Sequence, residues 1–136
     1  MEYIRLDEHG ELPEITGLAP FKAVLAVEEI ASRERQRQIS RWLIAMGCVY
    51  VMICGSDKEN WQDSIREANL EQISLDDMRP QQFVMITTHP HERLRSVFRH
   101  ARKFARHTHV DAENLVTVHI ANRNREVEYH NLFNKC

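Results

Sequence analysis

The sequence predicts a single α/β domain of three layers, α/β/α, around a short and mostly parallel four-stranded sheet. Three observations carry that expectation. Apolar, β-rich runs alternate with amphipathic helical segments, the pattern of a parallel sheet with right-handed crossovers. Two of the runs, 21–27 and 48–54, are apolar on both faces, as strands covered from both sides are. Gly and Pro are scarce, four each in 136 residues, which disfavours an all-β sandwich or a disordered chain.

Residues 1–20 form an acidic leader with Gly10, Pro13, Gly17 and Pro20, and 3–6 is a candidate N-terminal edge strand. The core spans 21–136. Its first strand covers 21–27 and ends at Glu28-Glu29; Ser32 then caps a helix whose Ile39, Trp42, Leu43 and Met46 share one face. Ile44 projects away from that face and hints at an interface. Gly47 supplies the left-handed stop. The second strand, 48–54, points Cys48, Tyr50, Met52 and Cys54 one way and Val49, Val51 and Ile53 the other. Gly55 turns the chain, Ser56 and Glu59 make a capping box, and Trp61, Ile65 and Ala68 give the second helix its buried stripe.

A polar loop, 76–80, leads to a third strand over 83–88. His89-Pro90 then opens a third helix, with Pro90 at its first position and Leu94, Val97, Phe98, Ala101, Phe104 and Ala105 as its apolar stripe. A fourth strand covers 115–120, and Asn122 or Asn124 caps a last helix over 126–133. Strand orders 2-1-3-4 (flavodoxin-like) and 3-2-1-4 (Rossmann-like) both satisfy this alternation and put the first and third helices on opposite sheet faces.

Composition narrows the function classes. The formal net charge is −2, so bulk charge points to neither nucleic acid nor a membrane. The longest apolar runs are too short to span a bilayer, and the N-terminus lacks a basic segment followed by an apolar one, so a cytoplasmic protein is expected. The odd cysteine count (Cys48, Cys54 and Cys136), without Cys-x-x-Cys, reads as buried free thiols in a reducing compartment rather than disulfides or zinc ligands.

Several blocks resemble a family of small bacterial proteins of unknown function: Pro20 to Val24, Arg41-Trp42-Leu43 with Gly47-Cys48, Tyr50-Val51-Met52, Gly55-Ser56-Asp57, Trp61 to Ser64, Ala68-Asn69-Leu70, and Phe83-Val84-Met85 with Thr88. The resemblance spans roughly 3–133, and the Trp61 to Leu70 block is its most specific part. It implies a bacterial cytosolic origin and one α/β domain, and it brings no activity.

In an open α/β sheet ligands sit beyond the carboxyl ends of the strands, where strand order reverses. Both candidate orders place Glu28 there, and Asp57, His89 and His91 follow neighbouring strands. These four are the candidate catalytic residues, since acids beside imidazoles suit acid–base work or a divalent metal. The plainer reading has Asp57 at a helix start, Glu28 ending a strand in water and His89 capping a helix. Cys54 as a nucleophile would need a base such as His89; a buried inert thiol is the simpler alternative. His107 and His109, where the third helix is expected to end, read as cations suiting its negative terminus. Neither Gly-x-Gly-x-x-Gly nor a P-loop occurs, so no nucleotide cofactor is expected, and no ligand spacing calls for a metal.

The third helix is the strongest electrostatic feature. Arg93, Arg95, Arg99, Arg102, Lys103 and Arg106 occur with no acid between Arg93 and Val110. Five of them, Arg95, Arg99, Arg102, Lys103 and Arg106, are the candidate partner-binding residues. The second helix and its surroundings are acidic: Asp57, Glu59, Asp63, Glu67, Glu71, Asp76 and Asp77. A solvated basic face, an acidic protein partner and, last, nucleic acid are the readings; exposed aromatics between the arginines, which base stacking wants, are not expected. On balance the sequence points to a non-catalytic interaction, accessory or toxin-neutralising module that self-associates or meets a protein partner. A small enzyme or metal-binding domain acting on a polar ligand at the strand ends is the alternative.

Overall fold

The computed structural model describes residues 1–76 and 78–136; Asp77, counted above among the acids around the second helix, lies outside them. Five strands form one parallel sheet: β1 (Glu2–Leu6), β2 (Phe21–Val27), β3 (Cys48–Gly55), β4 (Met85–Thr88) and β5 (Asn114–Ile120). Helices α1 (Arg33–Met46), α2 (Lys58–Gln72), α3 (Leu94–Lys103) and α4 (Glu126–Asn134) complete the fold.

The sheet order is β1-β5-β2-β3-β4, so the sheet has five strands, not four. The candidate edge strand is a full member, paired parallel to β5 with Tyr3 opposite Thr117. The four predicted core strands lie in the 3-2-1-4 order. The chain builds outward from β2 through β3 to β4, and α3 then carries it back to β5 on the other side of β2. Strand order therefore reverses between β2 and β5.

Alternating residues of β2 feed two apolar clusters. Phe21, Ala23, Leu25 and Val27 join Ile39 and Leu43 of α1 and Trp61 and Ile65 of α2. Val24 and Ala26 join Met52 of β3, Val97, Phe98 and Ala101 of α3 and Tyr129 of α4. Helices α1 and α3 thus contribute to different clusters.

β3 departs from strict alternation for a visible reason. Phe21 pairs with Cys48 but Lys22 pairs with Tyr50, so Val49 is an extra residue in the ladder. A bulge resets the side-chain period. Cys48 therefore joins the cluster of Val51 and Ile53 instead of that of Tyr50 and Met52.

Some local expectations are met. The Ser32 hydroxyl accepts from the Arg35 N–H at 3.0 Å and Gly47 ends α1 at φ 102°. Others are corrected. Neither asparagine is the cap residue of α4: that place is taken by Arg125, without a side-chain cap, and the Asn124 side chain accepts from the Glu126 N–H at 2.8 Å from one residue further out. Ile44 is buried in the first cluster and offers no outward apolar face. The Ser56–Glu59 capping box does not form: the residue preceding α2 is Asp57, at φ 58° and without a side-chain cap. β4 begins at Met85, because 80–82 form a 3-10 turn that takes Phe83 out of the ladder. Pro90 does not start α3 either; His91 turns the chain at φ 64°, and the helix begins at Leu94 after Arg93. α3 ends at Lys103, which leaves Phe104 beyond it and 67% exposed rather than in the buried stripe.

Candidate functional site

Strand reversal between β2 and β5 opens the sheet where Val27 and Ile120 end. Glu28 leaves β2 there, its N–H and that of Glu29 both donating to the Ile120 carbonyl, at 3.0 and 2.9 Å. The Glu28 side chain meets residues far away in sequence. Arg125, just ahead of α4, donates through Nη1 to Glu28 Oε1 at 2.7 Å and binds Glu128 through Nε and Nη2. Both carboxylates raise the Arg125 pKa, Glu128 most.

Behind Glu28 lies His119 of β5, fully buried. Its Nδ1 is 2.6 Å from the Tyr3 hydroxyl, which accepts the Arg125 N–H at 3.0 Å. A phenol that accepts from Arg125 has its own proton to give His119, which puts the imidazole proton on Nε2. Nε2 has no hydrogen-bond partner among the described residues and lies 3.7 Å from Glu28 Oε1. Burial holds the His119 pKa below its ordinary value, against the pull of Glu28. The imidazole is therefore stored neutral, its ring 4.6 Å from that of Tyr129.

A linkage effect follows from that storage. The unfolded chain takes up a proton near pH 6.5, where the folded chain resists it, so stability is lost as pH falls through that value toward the depressed one. We expect the urea midpoint to fall between pH 7.5 and 5.5, and to fall less in H119N. The slope persists in part, because burial holds His100 down in the same sense. Identical pH slopes in the two proteins would refute the assignment.

The other candidates find separate partners. Asp57 accepts from Gln36 Nε2 at 2.7 Å and from Asn60 Nδ2 at 2.6 Å, which ties α1 to the start of α2. His89, buried, donates from Nδ1 to Glu92 Oε2 at 2.7 Å, and its Nε2 lies 2.8 Å from the Thr87 hydroxyl. His91 is exposed in its turn. Glu28, Asp57 and His89 are thus held by separate sets of contacts, and no group of three His, Cys, Asp or Glu side chains among the described residues is placed to hold a metal. The Cys54 thiol is pushed up to about 12 by burial and lies 3.7 Å from the Leu25 carbonyl, which makes it a poor nucleophile.

His107 is corrected as well. It is buried, its Nε2–H donating to the Phe83 carbonyl at 2.8 Å and its Nδ1 accepting from the His109 N–H at 3.0 Å. A ring nitrogen that accepts has no proton, so this imidazole ties the chain after α3 to the entrance of β4 rather than capping a helix as a cation.

A cleft of about 180 Å³ remains at the carboxyl ends of β2 and β3, lined by Ala26, Val27, Glu28, Cys54, Gly55, Glu92, Leu94 and Tyr129. Of the four candidates it includes only Glu28; Glu92 and Tyr129 are residues that the sequence did not single out. Glu92 was visible only as one of several polar residues after the third strand. Tyr129 looked like an ordinary position of a short helix, and His119 was detectable only as a polar residue interrupting an apolar strand.

The five candidate partner-binding residues, Arg95, Arg99, Arg102, Lys103 and Arg106, are all exposed. Arg102 is nonetheless engaged, donating to the carbonyls of Phe133 and Cys136 at 3.3 and 2.9 Å and stacking over the Phe133 ring. Phe104 stands exposed among these charges, contrary to the expectation of no interleaved aromatic.

The two sheet edges differ in kind. β1 carries Glu2 and Arg5, whereas β4 reads Met-Ile-Thr-Thr. Beside β4, Met78 (55% exposed) lines a groove of about 360 Å³ with Pro80, Phe83, Val84, Met85 and the 107–109 segment. No described helix is long and apolar enough to cross a membrane.

Comparison with curated proteins and with solved structures finds no match. A family model does match, over residues 1–136, and by that match the chain belongs to the family described as Domain of unknown function (DUF7684).

Proposed function

We propose that the protein is a non-catalytic interaction module, an accessory, regulatory or toxin-neutralising protein of the bacterial cytosol, with its sheet as the middle of three layers, and that it self-associates through the β4 edge. The observation that supports this reading best is the chemistry of that edge. Open edges are ordinarily guarded by charge, proline or a bulge, because their unpaired N–H and C=O groups template pairing with another chain. β1 is guarded by Glu2 and Arg5; β4 has neither charge nor proline and is flanked by exposed Met78. Two copies related by a two-fold axis would pair these edges antiparallel and cover both Met78 side chains.

The catalytic alternative loses support from the same geometry, since it needed Glu28, Asp57 and His89 to converge and each is engaged elsewhere. The basic α3 face is a second surface, suited to an acidic protein; nucleic acid would contact it through Arg95, Arg99, Lys103 and Arg106.

Sedimentation velocity of the full chain tests the proposal. We expect a dimer at micromolar concentration that is insensitive to salt, as backbone pairing and apolar burial are, and that dissociates in M78K/T88K with unchanged circular dichroism. A monomer throughout, or a dimer that the double substitution leaves intact, would overturn it. A dimer lost in salt would place the contact on the charged helices instead.

A further inference from the structure

We infer that the basic face of α3 binds single-stranded nucleic acid, its phosphates meeting Arg95, Arg99, Lys103 and Arg106 and one base stacking on Phe104. The inference goes beyond self-association through β4 and uses a different surface.

Arg95, Arg99, Arg102 and Lys103 fall within an arc of about 100° on α3, and Arg106 follows shortly after the helix ends. All five are exposed. Arg102 is spent on the carbonyls of Phe133 and Cys136, but the other four make no ion pair among the described residues. Exposed arginines elsewhere do find acids: Arg41 holds Glu71, and Arg125 holds Glu28 and Glu128. Arg95 with Arg99, and Arg99 with Lys103, are like charges at i,i+4, a spacing at which they repel. An arriving polyanion relieves that repulsion.

Phe104 is an independent observation. It ends α3, its N–H donating to the His100 carbonyl at 2.9 Å, so the backbone beneath the ring is fixed. The ring is 67% exposed, with His100 beside it at 6.1 Å between centroids. In the chain it stands between Lys103 and Arg106. An anchored aromatic flanked by cations is what single strands use: every base has a π face, and the phosphates on either side of it meet the charges.

The same features separate this partner from others. A folded acidic protein would meet the same charges, but protein interfaces are built on an apolar core depleted of charge. Between Arg93 and Val110, Phe104 is the only exposed large apolar side chain, too little for such a core. A duplex keeps its bases stacked on one another and offers the ring no free face.

The test is fluorescence anisotropy of labelled oligouridylate and oligothymidylate of about twelve nucleotides, titrated with the full chain. We expect micromolar binding of both at low salt, since the two share the phosphates and base faces used. The logarithm of the affinity should fall against that of salt with a slope of about −2 to −3, for three or four phosphates at about 0.7 each. Polyglutamate, which offers charge without bases, should bind about tenfold more weakly. F104A should weaken oligonucleotide binding about tenfold and keep the slope, R99Q should reduce the slope by about 0.7, and R41Q, which removes a cation already paired, should do neither. Phe104 and Arg99 are exposed, so both variants keep the fold. Absence of binding, an F104A protein that binds as well as wild type, or a duplex bound as tightly as the single strands would each overturn the inference. Polyglutamate bound as tightly would overturn it too and give the face to an acidic protein. A monomer that binds the oligonucleotides sinks the β4 reading alone, and a dimer that does not bind them sinks this one alone.

Discussion

Gly55→Ala should cost about 4 kcal/mol or more and leave little folded protein at 37 °C. Gly55 closes β3 at φ 94°, a conformation open to glycine and strained for alanine. The environment makes this worse. A Cβ built there would lie 2.1 Å from the Val27 carbonyl oxygen and 2.9 Å from its carbon. Both atoms belong to the backbone of the adjoining strand, and that same oxygen accepts the Ser56 N–H at 3.0 Å. Relief would require the ends of β2 and β3 to part, which would open the cleft and displace Glu28. Gly17→Ala is the control: no atom lies within 4 Å of its added Cβ and its φ is ordinary, so stability should change by less than about 1 kcal/mol. Urea denaturation of both variants settles the matter. A G55A protein within about 1 kcal/mol of wild type would show that the strand ends are looser than their geometry implies.

What could be read from the chain, and what could not, divides by range of interaction. The β2, β3 and β5 strands were legible because an apolar, β-branched run bounded by turn residues specifies itself locally. Ser32 and Gly47 were legible for the same reason. The failures come from contacts between distant residues. Ser56 and Glu59 have the spacing of a capping box, but Asp57 is drawn off by Gln36, twenty-one residues away, and the backbone turns left-handed instead. Pro90 looked like a helical first residue, yet His89 is held back by Glu92 and Thr87, and the chain needs the His91 turn before α3 can begin. The bulge at Val49 exists only relative to Lys22 across the ladder. At the site, strand order alone located Glu28; its partners Arg125 and His119 lie more than ninety residues further on, where no spacing rule reaches.

Lys22 is the clearest example of such a hidden pairing, and its replacement by methionine should cost about 2–4 kcal/mol. It sits within a strand read as apolar on both faces and is only 6% exposed. Its stem runs beneath α3, and Nζ donates to the carbonyls of Ala101 and Ala105, at 2.6 and 3.2 Å. Ala101 lies in the last turn of α3, where a carbonyl lacks a later N–H in the helix and carries the negative end of its dipole, and Ala105 lies just past the residue that ends the helix. An ammonium there satisfies both needs at once, even though burial, and secondarily Arg106, lowers its pKa. Methionine matches the stem and removes the donors, so two carbonyls lose their partner while packing is nearly conserved. The helix affected carries the basic face and leads back, through Leu94 and Glu92, to the cleft. K22M should therefore fray the C-terminal turn of α3, seen as faster amide exchange at Phe104 and Ala105, whose N–H groups both donate to the His100 carbonyl. K22R, which keeps a donor, should recover part of the loss. Equal stability of K22M and wild type would mean that water replaces the ammonium without cost and that α3 needs no anchor from β2.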